Sequence, residues 1–313
     1  MPAQRSSLLA YLQLARAANV FTAAADIVLG YMLTGQQTPP GWRFWTLCIA
    51  SMSLYLAGMV FNDVFDYEVD LVERPNRPIP SGRVSQTAAV VLGTVLIVIG
   101  NAAALAVGPQ SGVVAVMLTA AIFAYDGLLK STVVGPLSMG LCRFLNVMLG
   151  ASLLAGPDGP SLTAVWAMPQ LQVAAGLGVY ITGVTWFSRQ EAGVSHRPQL
   201  MGAAIIFNIG LLLLIAFALL YGSDTAMAGR AYRPLATALL IGAVGVSINR
   251  NALNAILDPQ PARVRTAIKV MILSVIMLDA SLVWLVQPNM IYAMALALLI
   301  LPSLALARFL AVT

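Results

Sequence analysis

Residues 47–70, LCIASMSLYLAGMVFNDVFDYEVD, join a long apolar run directly to an acidic cluster. The apolar part belongs to a helix that we predict over residues 43–65, long enough to cross a hydrocarbon layer of roughly 30 Å. Similar apolar runs recur along the whole chain. The stretch therefore predicts a membrane-spanning helix that carries a polar group where it leaves the membrane.

The composition of the whole chain also indicates a membrane protein. Apolar residues make up 59% of the 313 positions and charged residues 9%, and the mean hydropathy is +0.86. Soluble domains are about half apolar and about a quarter charged. No polar domain interrupts the apolar runs, so we predict one integral membrane domain over residues 1–313. The basic residues are dispersed, which argues against nucleic acid as a partner and favours the lipid bilayer.

We predict an all-α, polytopic transmembrane bundle of nine to ten spans around a central cavity. The ten predicted helices cover residues 14–34, 43–65, 86–107, 112–129, 134–155, 164–188, 199–221, 234–255, 266–286 and 290–311. Tight turns at 108–109 and 287–289 suit antiparallel hairpins. Nine spans remain the alternative if the last two helices or the region near 250–265 are divided differently.

The distribution of basic residues predicts the orientation of these spans. With a cytoplasmic N-terminus, thirteen basic residues lie on the cytoplasmic side: Arg5, Arg16, Arg74, Arg77, Arg83, Lys130, Arg189, Arg197, Arg250, Arg263, Arg265, Lys269 and Arg308. The opposite side keeps Arg43, Arg230 and Arg233. This is a strong positive-inside bias. We expect a multi-pass protein of the bacterial inner membrane with both termini in the cytoplasm.

The acidic cluster has the spacing of one helix face. At about 100° per residue, Asp63, Asp66 and Asp70 fall at about 0°, 300° and 340°, whereas Glu68 points elsewhere. Asn62 borders the shared face. Carboxylates this close repel one another unless cations neutralise them, and carboxylate and amide oxygens suit Mg²⁺. The spacing predicts a magnesium site on the three aspartates, with a solvated helix end as the alternative.

The following segment, ERPNRPIPSGR at residues 73–83, is rich in proline and arginine. Its prolines exclude a regular helix, and Ser81-Gly82 marks a turn. The fork-shaped donors of Arg74 and Arg77 suit the oxygens of a diphosphate. The alternative is that these arginines only fix the membrane topology.

The segments NDVFDYEVD and RPNRPIPSG together resemble the first aspartate-rich motif and the adjoining loop of the UbiA superfamily of intramembrane prenyltransferases. Their position after the second predicted span matches as well, so the resemblance extends over most of the chain. It implies a helical bundle around a central cavity. It also implies Mg²⁺-dependent transfer of a prenyl group from a prenyl diphosphate to an aromatic or other lipophilic acceptor, with release of pyrophosphate.

Polar residues near the predicted cytoplasmic ends extend the resemblance. Arg16-x-x-Asn19 is similar to the signature of the family's first helix, and this implies that Asn19 contacts the diphosphate or the metal shell. Tyr125 and Lys130 resemble a Tyr…Lys pair whose lysine contacts diphosphate. The alternatives are an interhelical hydrogen bond for Asn19 and a lysine that reaches the membrane surface from a helix end.

Other polar residues lie deeper within predicted spans, where a buried polar group is costly and marks a site by default. Arg143 and Asn146 are three residues apart in the predicted fifth span. We predict that they face the cavity and contact the acceptor or the diphosphate. Asp279 has no evident partner in the sequence and is expected to pair with a basic residue of another helix.

The sequence departs from the family where a second aspartate-rich motif is expected, at the end of the sixth span. This position reads TWFSRQEAG over residues 185–193, with Glu191 as its single carboxylate and Arg189 beside it. We predict that Glu191 is a metal ligand and that Arg189 contacts the diphosphate directly.

The predicted function is prenyl transfer within the membrane, with Mg²⁺ as the cofactor. Catalysis is expected to depend on four side chains that neutralise the departing pyrophosphate: Asp63, Asp66, Arg77 and Lys130. A second hypothesis is a non-catalytic membrane protein that binds or transports an isoprenoid or a secondary-metabolite precursor, because the second motif is degenerate.

Overall fold

The computed structural model of the protein describes residues 7–35, 41–154, 165–191, 193–221 and 233–312, and these residues form helices without a strand. Arg5 and Arg230, which contribute to the predicted charge bias, lie outside the described residues. The α-helices are α1 Ser7–Leu14, α2 Val20–Leu33, α3 Trp42–Phe65, α4 Tyr67–Glu73, α5 Gln86–Val107, α6 Pro109–Ala124, α7 Gly135–Ala151, α8 Gln170–Ser188, α9 Arg197–Tyr221, α10 Arg233–Leu257, α11 Pro261–Val286, α12 Met290–Leu298 and α13 Ile300–Val312.

The prediction of nine to ten membrane-spanning helices overlaps the structure at nine. By length and composition, eight helices in the described part of the chain can cross a membrane, and the count is nine if α1 and α2, bent by 57° near Arg16, form one span. α7 has 17 residues and is shorter than the predicted fifth span, whose last residue, 155, lies outside the described part. Long apolar side chains point outwards along the helices, as on Val98 and Leu105. The chain is a multi-pass integral membrane protein.

Several helix ends differ from the prediction. The predicted first helix over 14–34 is divided by Arg16, whose backbone is left-handed. A π-helical turn, Tyr125–Leu129, continues α6, and the predicted last helix is interrupted between α12 and α13. The predicted tight turns are present, since Gly108 alone separates α5 from α6 and residues 287–289 connect α11 to α12.

The helices pack in a closed ring. Each helix in the order α2, α3, α5, α6, α7, α8, α9, α10 and α11 packs against the next, and α11 packs against α2. The ring surrounds a cavity of about 550 Å³ whose walls include residues of α2, α3, α6, α7, α8 and α11. α4 and the loop after it, at residues 74–85, lie at one end of this cavity.

α2 and α7 approach each other closely at two glycines. A Cβ atom added to Gly30 of α2 would lie 2.1 Å from the carbonyl oxygen of Val147, and one added to Gly150 of α7 would lie 2.6 Å from that of Ile27. Small residues allow helix backbones to meet in this way inside membranes. The contact fixes the position of the deep residues of α2 and α7 relative to each other.

Candidate active site

The acidic cluster lies at the mouth of the cavity, where α3 ends and α4 begins. Asp66 is the one residue between these helices. The amide of Asp66 donates to the carbonyl of Asn62 at 3.0 Å, and the amide of Asp70 donates to the carbonyl of Asp66 at 2.8 Å. These bonds continue the helical turn through the break, so the aspartates keep the shared face that their spacing predicts.

One arginine nitrogen lies where the three carboxylates converge. Nη1 of Arg77 is 3.0 Å from Oδ1 of Asp63, 4.0 Å from Oδ2 of Asp66 and 2.5 Å from Oδ2 of Asp70. The turn that starts at Arg74, whose carbonyl accepts from the Arg77 amide at 3.0 Å, sets this position. The arginine loop, whose predicted partner is a diphosphate, therefore contacts the acidic run directly.

Two further cations neutralise the cluster from other helices. Nη2 of Arg16 lies 3.2 Å from Oδ1 of Asp63 and donates to Oδ1 of Asn62 at 3.3 Å. Nζ of Lys130, beyond the π-helical turn, donates to Oδ2 of Asp66. Each aspartate of the cluster thus contacts at least one cation, which offsets the repulsion among the three carboxylates.

The carboxylate oxygens of this cluster suit a hard metal ion, although cationic side chains of the protein occupy the position between them. As they stand, the described residues include no group of three or more His, Cys, Asp or Glu side chains arranged to hold a metal. The oxygens of Asp63, Asp66 and Asp70 nevertheless converge on one cationic atom, and oxygens of this kind are what Mg²⁺ prefers. A metal bound there would displace Nη1 of Arg77 and release that arginine for a phosphate group.

The atypical second motif lies on the same cavity as the aspartates. Arg74, Arg189 and Glu191 line it together with Asp66 and Asp70. Nη2 of Arg74 is 3.4 Å from Oε1 of Glu191, and Arg189 donates to a backbone carbonyl, that of residue 131, at 2.8 Å. In this arrangement Glu191 pairs with an arginine of the first half of the mouth, and its role as a metal ligand stays a prediction.

The remaining predicted mouth residues line the cavity next to the cluster. Asn19 lines the cavity close to Tyr55, and Tyr125 is buried in the wall. Nδ2 of Asn62 donates to Oδ1 of Asp126 at 2.8 Å. Asn62 therefore joins two sides of the mouth, since its Oδ1 also accepts from Arg16.

The structure separates Arg143 and Asn146 from the mouth residues. Both line the deep part of the cavity, but their partners are on α2 and α3. Nδ2 of Asn146 donates to Oδ2 of Asp26 at 2.7 Å and to the carbonyl of Ala23 at 3.0 Å, while its Oδ1 accepts from Ser51 at 2.7 Å. These bonds engage the amide group of Asn146, and Nε of Arg143 lies 3.1 Å from Oδ1 of Asp26. The contact of both residues with the acceptor or the diphosphate stays a prediction.

The sequence-based selection did not include Asp26, which contacts Arg143 and Asn146, or Tyr55. Asp26 is fully buried in α2, and Tyr55 of α3 lines the cavity between Asn19 and Arg143. For Asp26 a signal exists, because an ionisable residue inside a membrane span is a site candidate by default. Nothing in the sequence distinguishes Tyr55 from the other aromatic residues of the spans.

The backbone of Arg16 is strained where its side chain enters the site. Its φ of 46° and ψ of 45° lie in the left-handed region, which costs a residue with a Cβ atom about 1–2 kcal/mol. The ion pair with Asp63 and the bond to Asn62 hold it there. Strain of this kind often accompanies functional positions.

This strain gives a paired prediction at position 16. Arg16→Gly and Arg16→Ala both remove the guanidinium group, but only glycine adopts the left-handed region without cost. The glycine variant is therefore expected to be more stable than the alanine variant by about 1–2 kcal/mol. Thermal unfolding of both variants in the same detergent measures the difference, and equal stabilities would contradict the left-handed geometry.

These features define a class of protein. Apolar helices close around one cavity within the membrane, and carboxylates and cations from separate segments meet at the cavity's mouth. The chain belongs to the UbiA prenyltransferase family, whose family model matches residues 23–256.

Relatives and solved structures agree with this membership. The chain is 27% identical to digeranylgeranylglyceryl phosphate synthase of Methanopyrus kandleri, over 74% of this chain and 96% of that protein. It is 30% identical to the enzyme of the same name from Sulfurisphaera tokodaii, over 46% of this chain and 52% of that relative, about half its length.

The fold is similar to that of a UbiA homolog from Aeropyrum pernix, with a TM-score of 0.67 at 19% identity over 84% of this chain and 96% of that one. It is also similar to a UbiA homolog from Archaeoglobus fulgidus bound to DMAPP and Mg²⁺, with a TM-score of 0.59 at 14% identity over 92% and 98% of the two chains.

Proposed function

We propose that this protein transfers a prenyl group from a prenyl diphosphate to a lipophilic, aromatic acceptor in the membrane and releases pyrophosphate. One observation carries the proposal: cationic and carboxylate side chains from four separate segments meet at one mouth of a largely apolar cavity. The cations that line this mouth are Arg16, Arg74, Lys130 and Arg189. A ligand with an anionic head and an apolar tail matches this distribution of charge.

The geometry indicates how these residues act on such a donor. The diphosphate would lie among the basic side chains, and the tail would follow apolar wall residues such as Leu54, Ile122 and Val184. The C–O bond to the diphosphate breaks, and an acceptor atom bonds to the same prenyl carbon and gives up a proton. Basic side chains fixed around the leaving pyrophosphate stabilise the charge that develops on it. Breaking the C–O bond leaves an allylic cation on the prenyl group, and the apolar wall keeps water from it.

Magnesium is part of this proposal. Asp63, Asp66 and Asp70 would hold it, because their oxygens converge on one cationic atom. When bound, Mg²⁺ supplies charge neutralisation for the pyrophosphate. The solved structure of the Archaeoglobus fulgidus homolog bound to DMAPP and Mg²⁺ supports this choice of metal and donor.

We also propose that the mouth and both termini face the cytoplasm, on the basis of the charge bias in the sequence. The bacterial inner membrane stays a prediction, since the relatives named above are archaeal. The assignment of residues 1–313 to one domain also stays a prediction.

The direct test uses purified protein in lipid nanodiscs. Radiolabelled prenyl diphosphates of different chain lengths are incubated with Mg²⁺ and a lipid extract that serves as a pool of acceptors. The expected result is a labelled lipid product together with pyrophosphate. Release of pyrophosphate without a labelled lipid would indicate hydrolysis and contradict prenyl transfer.

The ion pair between Arg74 and Glu191 favours a second candidate, a non-catalytic carrier of an isoprenoid. Glu191, the single carboxylate of the second motif, is engaged in this ion pair. The half of the mouth formed by the second motif therefore has no free carboxylate for a metal. The nanodisc experiment separates the two functions. Tight, Mg²⁺-dependent binding of the prenyl diphosphate without turnover at any chain length would support the carrier.

A substitution of Arg189 tests the atypical half of the mouth. Arg189→Ala is expected to raise the Kd for a prenyl diphosphate about tenfold or more, the loss typical of one charge-assisted hydrogen bond. Arg197→Ala is the matched control, because Arg197 also donates to one backbone carbonyl at 2.8 Å but does not line the cavity. Equal Kd values for the two variants, measured with a radiolabelled donor, would exclude Arg189 from the site.

A further inference from the structure

Polar atoms without hydrogen-bond partners gather at one place in the membrane-embedded part of the protein. They belong to three side chains and are Oδ1 of Asp26, Nε and Nη2 of Arg143, and both carboxyl oxygens of Asp279. Buried polar atoms in proteins almost always have partners. Nε of Arg143 and Oδ1 of Asp26 form an ion pair with each other, so Nη2 of Arg143 and the two carboxyl oxygens of Asp279 are the atoms that a proton or a ligand would complete.

The three side chains come from three helices of the ring. Asp26 on α2 and Asp279 on α11 are both fully buried, and their carboxyl groups lie within hydrogen-bonding reach of each other. Nε of Arg143 on α7 is 3.1 Å from Oδ1 of Asp26. Asn146, one turn further along α7, donates to the other oxygen of Asp26 at 2.7 Å.

The charges of this cluster balance with one added proton. Two ionised carboxylates against one guanidinium would leave a net negative charge in a region of low dielectric, where such a charge is very costly. Asp26 has the donors that stabilise an anion, namely Asn146 and Arg143. Asp279 has none among the described residues. The proton therefore belongs on Asp279, which then donates to Asp26.

The cluster as a whole is neutral, but it presents the guanidinium group of Arg143 to the cavity. Arg143 lines the cavity, and 11% of its side chain is exposed there. Its Nη1 makes only a long contact of 3.4 Å with the hydroxyl of Thr22, which also lines the cavity. A ligand oxygen at the deep end can therefore accept a hydrogen bond from Nη1 without breaking the ion pair behind it.

We propose that Asp26 and Asp279 share one proton and, with Asn146, position Arg143 to bind an uncharged oxygen, a hydroxyl or carbonyl group, on the head of the lipophilic acceptor. This inference rests on the proposed function and names the acceptor's chemical class. A carboxylate or phosphate at this depth would add a charge that the cluster does not balance. The mouth, by contrast, has several cations and suits the donor's diphosphate.

The shared proton predicts opposite outcomes for two conservative substitutions. Asp279→Asn keeps a neutral donor to Asp26, so the variant is expected to fold with the yield of the wild type. Asp26→Asn removes the partner of Arg143 and is expected to lower the yield of folded protein at least about fivefold. The infrared band of a protonated carboxyl should disappear in Asp279→Asn. Its persistence, or equal behaviour of the two variants, would overturn the shared proton.

Acceptor recognition is tested with two tail-matched probes, 4-octylphenol and 4-octylbenzoate, in nanodiscs. The wild type is expected to bind the phenol at least about tenfold more tightly than the benzoate. In the charge-balanced double variant Asp26→Asn/Arg143→Gln, the Kd for the phenol should rise at least about tenfold. The Kd for a radiolabelled prenyl diphosphate should remain unchanged, because the mouth is intact.

Each outcome has one meaning. Unchanged binding of 4-octylphenol by the double variant, or tighter binding of 4-octylbenzoate by the wild type, would overturn the inference while the proposed function stands. If the wild type itself does not bind a prenyl diphosphate, the proposed function is overturned instead. If the double variant does not fold, Arg143→Lys replaces it, and the same loss is expected because an ammonium group does not reach Asp26 and the ligand together.

Discussion

Asp66→Ala is expected to reduce prenyl transfer by about a thousandfold or more while the protein remains folded. Asp66 faces the cavity, and it is the carboxylate that links the cluster to Lys130. Its removal takes away a metal ligand and releases the lysine from its position at the mouth. Because 21% of the Asp66 side chain and 31% of the Lys130 side chain are exposed, the unpaired lysine is solvated and stability changes little.

The control for this prediction lies on the short helix that follows Asp66. Glu68 is an exposed carboxylate of α4 that does not line the cavity, and Glu68→Ala is expected to keep full activity. Binding of Mn²⁺, followed by electron paramagnetic resonance, gives a readout that is independent of turnover and should weaken only in Asp66→Ala. Undiminished transfer by Asp66→Ala with the correct donor would contradict the assignment of the metal ligands.

Gly30→Ala is expected to destabilise the protein by about 3 kcal/mol or more. The added methyl group would lie 2.1 Å from the carbonyl oxygen of Val147 and 2.8 Å from the amide nitrogen of Ala151. Both are backbone atoms, so no side-chain rotation relieves the clash and α2 must move away from α7. The same movement breaks the bond of 2.7 Å between Asp26 and Asn146.

Gly242 provides the matched control. It lies within α10, and a Cβ atom added there meets no atom within 4 Å. Gly242→Ala is therefore expected to be neutral or slightly stabilising, because alanine favours the helix. Thermal unfolding and the monodisperse fraction in gel filtration compare the two variants. A Gly30→Ala protein as stable as Gly242→Ala would show that the two helices do not meet as closely as described.

The acidic cluster and the arginine loop were largely predictable because their residues are close in the chain. Asp63, Asp66 and Asp70 lie within eight residues, and helical periodicity alone determines that they share a face. The arginine loop follows at once, so its proximity to the cluster was also a local inference. That one nitrogen of Arg77 contacts all three aspartates depends on the path of a proline-rich loop, which periodicity does not determine.

The deep cluster was not predictable, since its members are far apart in the chain. Asp26 and Asp279 are separated by most of the sequence, and each appears there as an isolated acidic residue in an apolar run. Their proximity depends on the packing of α11 against α2. The same reason explains Arg143, which the sequence associated with the acceptor or the diphosphate but whose ion pair requires the contact between α2 and α7.

The left-handed backbone of Arg16 is a further example of long-range control. Helical periodicity favoured one continuous first span, whereas the structure bends it by 57° at this residue. Arginine has no intrinsic preference for this conformation. Asp63 and Asn62, more than forty residues later, provide the compensating contacts.

The closure of the ring has a consequence for biosynthesis. The wall that contains α2 is completed only by α11, and Gln13 of α1 donates at 3.1 Å to the carbonyl of Leu310 near the other end of the chain. During synthesis α2 therefore enters the membrane before α11 exists, and until then Asp26 has no contact with Asp279. A chain that ends before residue 261 therefore lacks both the helix that closes the ring and the acidic neighbour of Asp26.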